Sequence, residues 1–188
     1  ELEAFPGNPV VILPVAAKVL LYEDFEARLR QILQEKDVST DRFLFEISTA
    51  AFQNQTERLM DTVLRLSEKG LQFRLGLFGG GEMDLRLLAE VPFREVELNM
   101  EMLMDTYAED AEYIIGIIAG LAERMHARVV YGQMSDGLQE MAAEKVRGTI
   151  ASGEDFLVQG ELYGEYLSAE ELGGPEEAGP SGEFTEVS

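Results

Sequence analysis

An α/β fold built on a parallel sheet is the fold class this sequence predicts. Three observations carry the prediction. Apolar runs of strand length alternate six times with amphipathic helical stretches, the connections are short, and the first run, Val10 to Val15, is apolar throughout. Parallel strands covered on both faces have that continuous character, and strand–helix–strand units with short connections wind as right-handed crossovers. Six units fit either an open doubly wound sheet or most of an eight-unit barrel. No phosphate-binding glycine fingerprint follows the first run, which argues against a dinucleotide fold.

Residues 1–9 contain Pro6, Gly7 and Pro9 and read as a lead-in. Pro14 ends the first strand, because proline has no N–H to give a ladder. Tyr22 to Lys36 predicts a helix with Phe25, Leu29, Ile32 and Leu33 on one face. Arg42 to Ser48 is the second strand. Gln53 to Lys69 is a helix carrying Leu59, Val63, Leu64 and Leu66, and Gly70 stops it. Gln72 to Phe78 is a strand that runs into Gly79, Gly80 and Gly81. Asp84 to Glu90 predicts a short helix before Pro92. Glu95 to Met100 follows as an alternating strand. Asp110 to Met125 is an apolar helix, Arg128 to Gln133 a strand and Asp136 to Val146 a helix. Phe156 to Gly160 is the last strand, and Ser168 to Leu172 one helical turn. The domain is thus expected over residues 10–172, with an acidic Gly/Pro-rich tail over 173–188.

The composition narrows the function. Hydrophobic residues make up 46 %, which places the chain among globular proteins. With 36 acidic and 15 basic residues the formal net charge is −21, so phosphate backbones are repelled and a nucleic-acid polymer is not an expected partner. There is no cysteine, hence neither a disulfide nor a thiolate metal site. No stretch reads as a signal peptide, and the apolar stretch Ile114 to Leu121 is too short to span a bilayer. A cytoplasmic protein without membrane insertion is the expectation.

Short signatures in a fixed order then select a family. Phe45-Glu46-Ile47-Ser48 is similar to a Leu-Glu-Ile-Thr strand. Leu75-Gly76-Leu77-Phe78-Gly79-Gly80-Gly81 stands where Leu-Asp-Asp-Phe-Gly-Thr-Gly is expected, and Val96-Glu97-Leu98-Asn99, after Pro92, where Leu-Lys-Ile-Asp is expected. Residues 129–135, Val-Val-Tyr-Gly-Gln-Met-Ser, match Val-Val-Ala-Glu-Gly-Val-Glu-Thr less its first residue. Val158-Gln159-Gly160 matches a terminal Gln-Gly, and Asp24-Phe25 matches the opening of the first helix. From Val10 to Tyr166 the chain resembles the EAL-domain family, the cyclic-di-GMP phosphodiesterases of bacterial signalling. The resemblance implies a TIM-barrel-like fold with its site at the C-terminal ends of the strands. About six β/α units are present. The first two strands and the Glu-Ala-Leu motif are expected to be missing, because Glu3-Ala4-Phe5 lies too close to the next strand. Such a piece leaves two unpaired edges, which another chain or upstream residues would cover.

Two-metal hydrolysis requires several carboxylates around two hard cations. Of the ligands the resemblance implies, the first Glu is absent and Pro14 replaces Asn. Glu46 survives. Gly76 and Leu77 replace the Asp pair, Glu97 replaces the catalytic Lys and Asn99 the Asp after it. Tyr131 and Met134 stand for two further Glu residues. The expectation is therefore no enzyme, no metal and no cofactor. A receptor that binds cyclic di-GMP without hydrolysis is the alternative, through Glu46, Phe78, Gln159 and Gly160, and an active phosphodiesterase the weakest reading. Glu46 and Glu97 are expected to point inward as a solvated or hydrogen-bonded pair. Gly79 to Gly81 lacks a following Lys and reads as a loop. His126, at a helix end, reads as a surface or capping residue. The cluster Met100, Met102, Leu103 and Met104 suggests an adaptable contact with a protein partner or a second copy. Core filling is the plainer reading of the same residues.

Overall fold

A computed structural model describes residues 10–53, 56–79, 84–148 and 157–164, and its compact unit runs from Val10 to Gly164. The expected lead-in, the tail, Gly80 and Gly81 and the helical turn at 168–172 lie outside the described residues. Six strands form one sheet: β1 (Val11–Pro14), β2 (Phe43–Ser48), β3 (Gln72–Phe78), β4 (Glu95–Asn99), β5 (Arg128–Gly132) and β6 (Leu157–Val158). All neighbours are parallel, and the order across the sheet is the order along the chain. That order decides between the two architectures left open by pattern. A doubly wound sheet reverses its strand order at a switch point, whereas here every crossover adds its strand on the same side. The sheet accordingly curls into a half-barrel with helices on its outer face.

The helices are α1 (Ala17–Leu20), α2 (Phe25–Glu35), α3 (Thr56–Glu68), α4 (Arg86–Glu90), α5 (Met100–Tyr107), α6 (Ala111–Arg124) and α7 (Gly137–Arg147). Most lie within two or three residues of the expected spans. Two were not expected. The short α1 follows β1 directly. The eight-residue α5 starts where β4 ends, since the Asn99 side chain caps it by accepting from the Met102 N–H at 3.0 Å. The expected start at Gln53 is replaced by a 3₁₀ turn, Thr49–Phe52, before α3.

The outer face of the sheet makes the core. Phe45, Ile47, Phe73, Leu75, Val96, Leu98, Val129 and Tyr131 are buried there, against Leu59, Val63 and Leu66 of α3 and Ile115, Ile118 and Ala122 of α6. Alternation then sends the residues between them to the concave face, where Glu46, Arg74 and Glu97 bring charge and Val130 is apolar. Cα register places Glu46 beside Arg74, Arg74 beside Glu95, and Glu95 beside Arg128. One row across β2 to β5 therefore reads acid, base, acid, base. At the strand ends the ladder is irregular. The β3–β4 register shifts between Leu75 and Phe78, and Leu77 (φ 56°) and Gln133 (φ 57°) adopt the left-handed conformation.

A non-glycine residue in that conformation carries about 1–2 kcal/mol of strain, while glycine costs about 0.5–1 kcal/mol of backbone entropy. The Gln133 side chain is exposed, so little packing is lost with it. Gln133→Gly is expected to raise the unfolding free energy by about 0.5–1 kcal/mol, read from the urea midpoint at unchanged m value.

Candidate functional site

The concave face is organised by Arg74, a residue that sequence reasoning passed over. It lies mid-strand in β3 and is 1 % exposed. Its Nη2 donates to Gln159 Oε1 at 2.8 Å and lies 3.1 Å from Glu97 Oε2. Its Nη1 is 3.8 Å from Glu95 Oε2. Its Nε is 3.1 Å from Glu46 Oε2, an ion-pair contact whose angle does not make a hydrogen bond. Glu95 is paired on its other side with Arg128. Three carboxylates thus face two guanidinium groups, leaving one negative charge in excess. Burial pushes the Glu46 carboxyl above its ordinary value of 4.5, Arg74 opposes that shift, and Glu97 reinforces it.

Glu97 is 2 % exposed. Its Oε2 also receives the Leu77 N–H at 3.4 Å, whereas its Oε1 has no hydrogen-bond donor among the described residues. Two glycines make room for these carboxylates. A Cβ on Gly76 would come within 2.9 Å of Glu46 Cγ, and one on Gly132 would overlap Glu97 Oε1. The expected inward pair, Glu46 and Glu97, is therefore present, and the two are joined through Arg74.

The other expected residues fall elsewhere. Phe78 is fully buried in the core and offers no ring face to a ligand. Gln159 reaches the site, but its side-chain oxygen is taken by Arg74. Gly160 has φ 155°, and a Cβ there would overlap the Met134 backbone, so its role is steric. Met100 and Leu103 are core residues, which corrects their expected place in a contact surface. Their α5 face packs inward, leaving Met102 (42 % exposed) and part of Met104 outside. His126 is exposed, in the left-handed position just after α6.

The backbone also corrects the match on β5. Tyr131 and Met134 are buried in the core, and burial pushes the Tyr131 hydroxyl up to about 12. The inward residue is Gly132, paired with Asn99, and the residue with the glycine-like φ is Gln133. Residues 129–136 therefore match the motif with none omitted. Gly132 and Ser135 take the places of its two Glu residues, and Gln133 that of its Gly.

The sequence model of the EAL domain matches residues 10–157. The chain belongs to the EAL domain family. Its structure is similar to the EAL domain of Mycobacterium smegmatis DcpA, at 17 % identity and TM-score 0.74, over 91 % of this chain and 74 % of that one. It also resembles the EAL enzyme Bd1971 in a cAMP-bound form, at 16 % identity and TM-score 0.69, over 87 % of this chain and 42 % of the other. The EAL-domain protein YkuI of Bacillus subtilis, solved with cyclic di-GMP and calcium, matches at 17 % identity and TM-score 0.63, over 85 % and 39 %. This chain thus spans about two fifths of the length of two of these relatives. No curated protein matches it in sequence.

The divalent cations that the EAL family implies do not fit the residues present. Pro14, Gly76, Leu77 and Gly132 offer no side-chain ligand, and the oxygens of Glu46 and Glu97 face a guanidinium. Among the described residues, no group of three or more His, Cys, Asp or Glu is arranged to hold a metal.

Removing the buried cation leaves carboxylates without a partner, which costs about 3–5 kcal/mol. Arg74→Met is expected to lower the unfolding free energy by about that amount in urea titration at neutral pH. The raised Glu46 carboxyl has a definite sign. Between 4.5 and its raised folded value, the folded state holds the proton more tightly than the unfolded one. Stability therefore falls as pH rises through that window. Glu46→Gln is expected to flatten that part of the pH–stability curve, measured by urea unfolding at closely spaced pH values.

Proposed function

We propose that this chain is a non-catalytic EAL module of a bacterial, cytoplasmic cyclic-di-GMP-type signalling protein, acting through protein contacts or dimerisation. The observation that carries the reading is the guanidinium of Arg74 between Glu46 and Glu97. Hydrolysis of a phosphodiester by two metals requires several carboxylates free to bind cations, and here Glu46 and Glu97 are both engaged by that guanidinium. The catalytic Lys that the family pattern implies stands here as Glu97, and the guanidinium beside it comes from β3. This cation is already neutralised. A dianionic dinucleotide would meet a concave face with one negative charge in excess, which weighs against the receptor alternative.

Among the described residues, no helix is long and apolar enough to cross a membrane. The contact residue that remains from the methionine cluster is Met102 on α5, with Met104 beside it.

Two measurements test the reading. Incubated with Mg²⁺ or Mn²⁺ and cyclic di-GMP, the protein is expected to yield no linear dinucleotide, and turnover would overturn the non-catalytic assignment. Calorimetric titration with cyclic di-GMP is expected to give no binding heat; a saturable one would favour the receptor. For the dimeric form of the reading, light scattering should show a mass above that of one chain, falling to one chain in the double variant Met102→Gln, Met104→Gln.

A further inference from the structure

We infer that the solvent face of α6 is the pairing surface for a second copy of this chain, the two α6 helices lying antiparallel about a twofold axis. Tyr113, Ile117, Gly120 and Arg124 follow one another at three- or four-residue steps and so form one stripe, about 16 Å long. Tyr113 is 72 % exposed and Ile117 47 %. Large apolar side chains in a row on the outside of a helix, in a chain of net charge −21, mark a contact that the single chain leaves open.

The glycines of α6 point the same way. Glycine inside a helix is destabilising relative to alanine, so it persists where a neighbour needs the space. Within this chain no neighbour does. A Cβ on Gly120 would meet nothing within 4 Å, and one on Gly116 would only touch Val146 at 4.0 Å. At an open helix surface these glycines leave room for a second helix to come close.

Self-complementarity selects the occupant and its direction. In a twofold pair, residue i faces residue j and j faces i. Antiparallel helices centred between Ile118 and Ala119 set Ile117 of one copy against Gly120 of the other, and Leu121 against Gly116, large against small at every crossing. Tyr113 then faces Arg124 of the other copy, with Asp110 one turn further on. Arg124 is exposed and has no ion-pair partner among the described residues. The pairing offers it a ring face and a carboxylate. A parallel pair would set Tyr113 on Tyr113, Ile117 on Ile117 and Arg124 on Arg124, mismatched in both shape and charge. The neighbouring α7 widens the surface. Its Lys145 is ion-paired with Glu112, and Leu138 and Met141, in the same row, are each 67 % exposed. That flank supplies area, because a specific interface buries more than about 1,000 Å².

This inference rests on the dimeric form of the reading above and names its partner and its surface. Light scattering over a range of concentrations is applied to the full chain and to I117E, G120A, R124E, D110R/R124E and M102Q/M104Q, with melting followed by circular dichroism. Wild type is expected to reach the mass of two chains. I117E and G120A are each expected to weaken association by at least about tenfold in Kd. Alanine favours the helix and meets no neighbour at position 120, so G120A stays folded and its loss of pairing cannot come from unfolding. R124E is expected to weaken pairing and D110R/R124E to restore it. A one-chain mass for wild type at every concentration would overturn the inference, as would a two-chain mass retained by both I117E and G120A. If those two variants stay paired while M102Q/M104Q comes apart, the α6 surface is wrong and the dimeric reading stands. Turnover of cyclic di-GMP would sink the non-catalytic assignment and leave the α6 pair intact.

Discussion

A guanidinium buried inside a curled sheet cannot stay charged alone, and the inner face of this half-barrel is arranged around that constraint. Taking a cation out of water costs several kcal/mol, which is recovered only by close counter-charges with good geometry. Arg74 finds Glu46 on one neighbouring strand, Glu95 and Glu97 on the other, and Gln159 beyond β6. These partners come from segments far apart in sequence, so the cluster forms only when β2, β3, β4 and the chain after β6 are in register. A slip of one residue in any of these strands would turn its charges toward the helices and its apolar residues into the cluster. The charge row is thus a register device as well as a source of stability, and it is continued outward by the Glu95–Arg128 pair.

The substitutions at the strand ends make sense together. The lysine that the EAL pattern implies on β4 stands here as Glu97, and its positive partner comes from β3. The carboxylate on β4 then needs space, which Gly132 supplies on β5. Glu46 leans toward Arg74 across the position vacated at Gly76. Asn99 no longer faces a site at all in a chemical sense, because its side-chain oxygen caps α5. Gly76, Glu97, Asn99 and Gly132, which depart from the EAL pattern, each have a structural employment here.

Much of this was legible in the sequence, and the parts that were not share a cause. Strand positions were readable because outward residues such as Phe45, Phe73 and Val96 are apolar and alternate with something else. The family was readable from the order of short signatures. The barrel-like winding was readable only through that family, because an open sheet and a barrel share the same strand–helix alternation; in the structure the unbroken strand order separates them. Arg74 lies outside every motif position, so the family pattern carries no signal for it. A signal was available: an arginine flanked by Phe73 and Leu75 in a strand expected to be buried has to find an acid. Glu46, Glu95 and Glu97 were the candidates at matching phase. The one-residue error on β5 arose because Gly132 was equated with the motif's glycine, while the backbone gives the glycine-like φ to Gln133.

That last point bears on what the EAL fold itself demands. Leu77 and Gln133 both hold left-handed backbone at the C-terminal ends of their strands, although neither is glycine and Leu77 stands where the EAL pattern implies a metal ligand. Strain of this kind is often attributed to catalysis. Here it coexists with the loss of the ligands, so another constraint must hold it. At Leu77 the constraint is visible. Its carbonyl accepts from the Thr49 hydroxyl at 3.0 Å, its N–H points to Glu97, and the β3–β4 register shift lies beside it. The chain has to turn out of β3 at this point while Phe78 returns to the core. The left-handed residue therefore belongs to the way this half-barrel ends β3, held by the Thr49 and Glu97 contacts whether or not a ligand stands there.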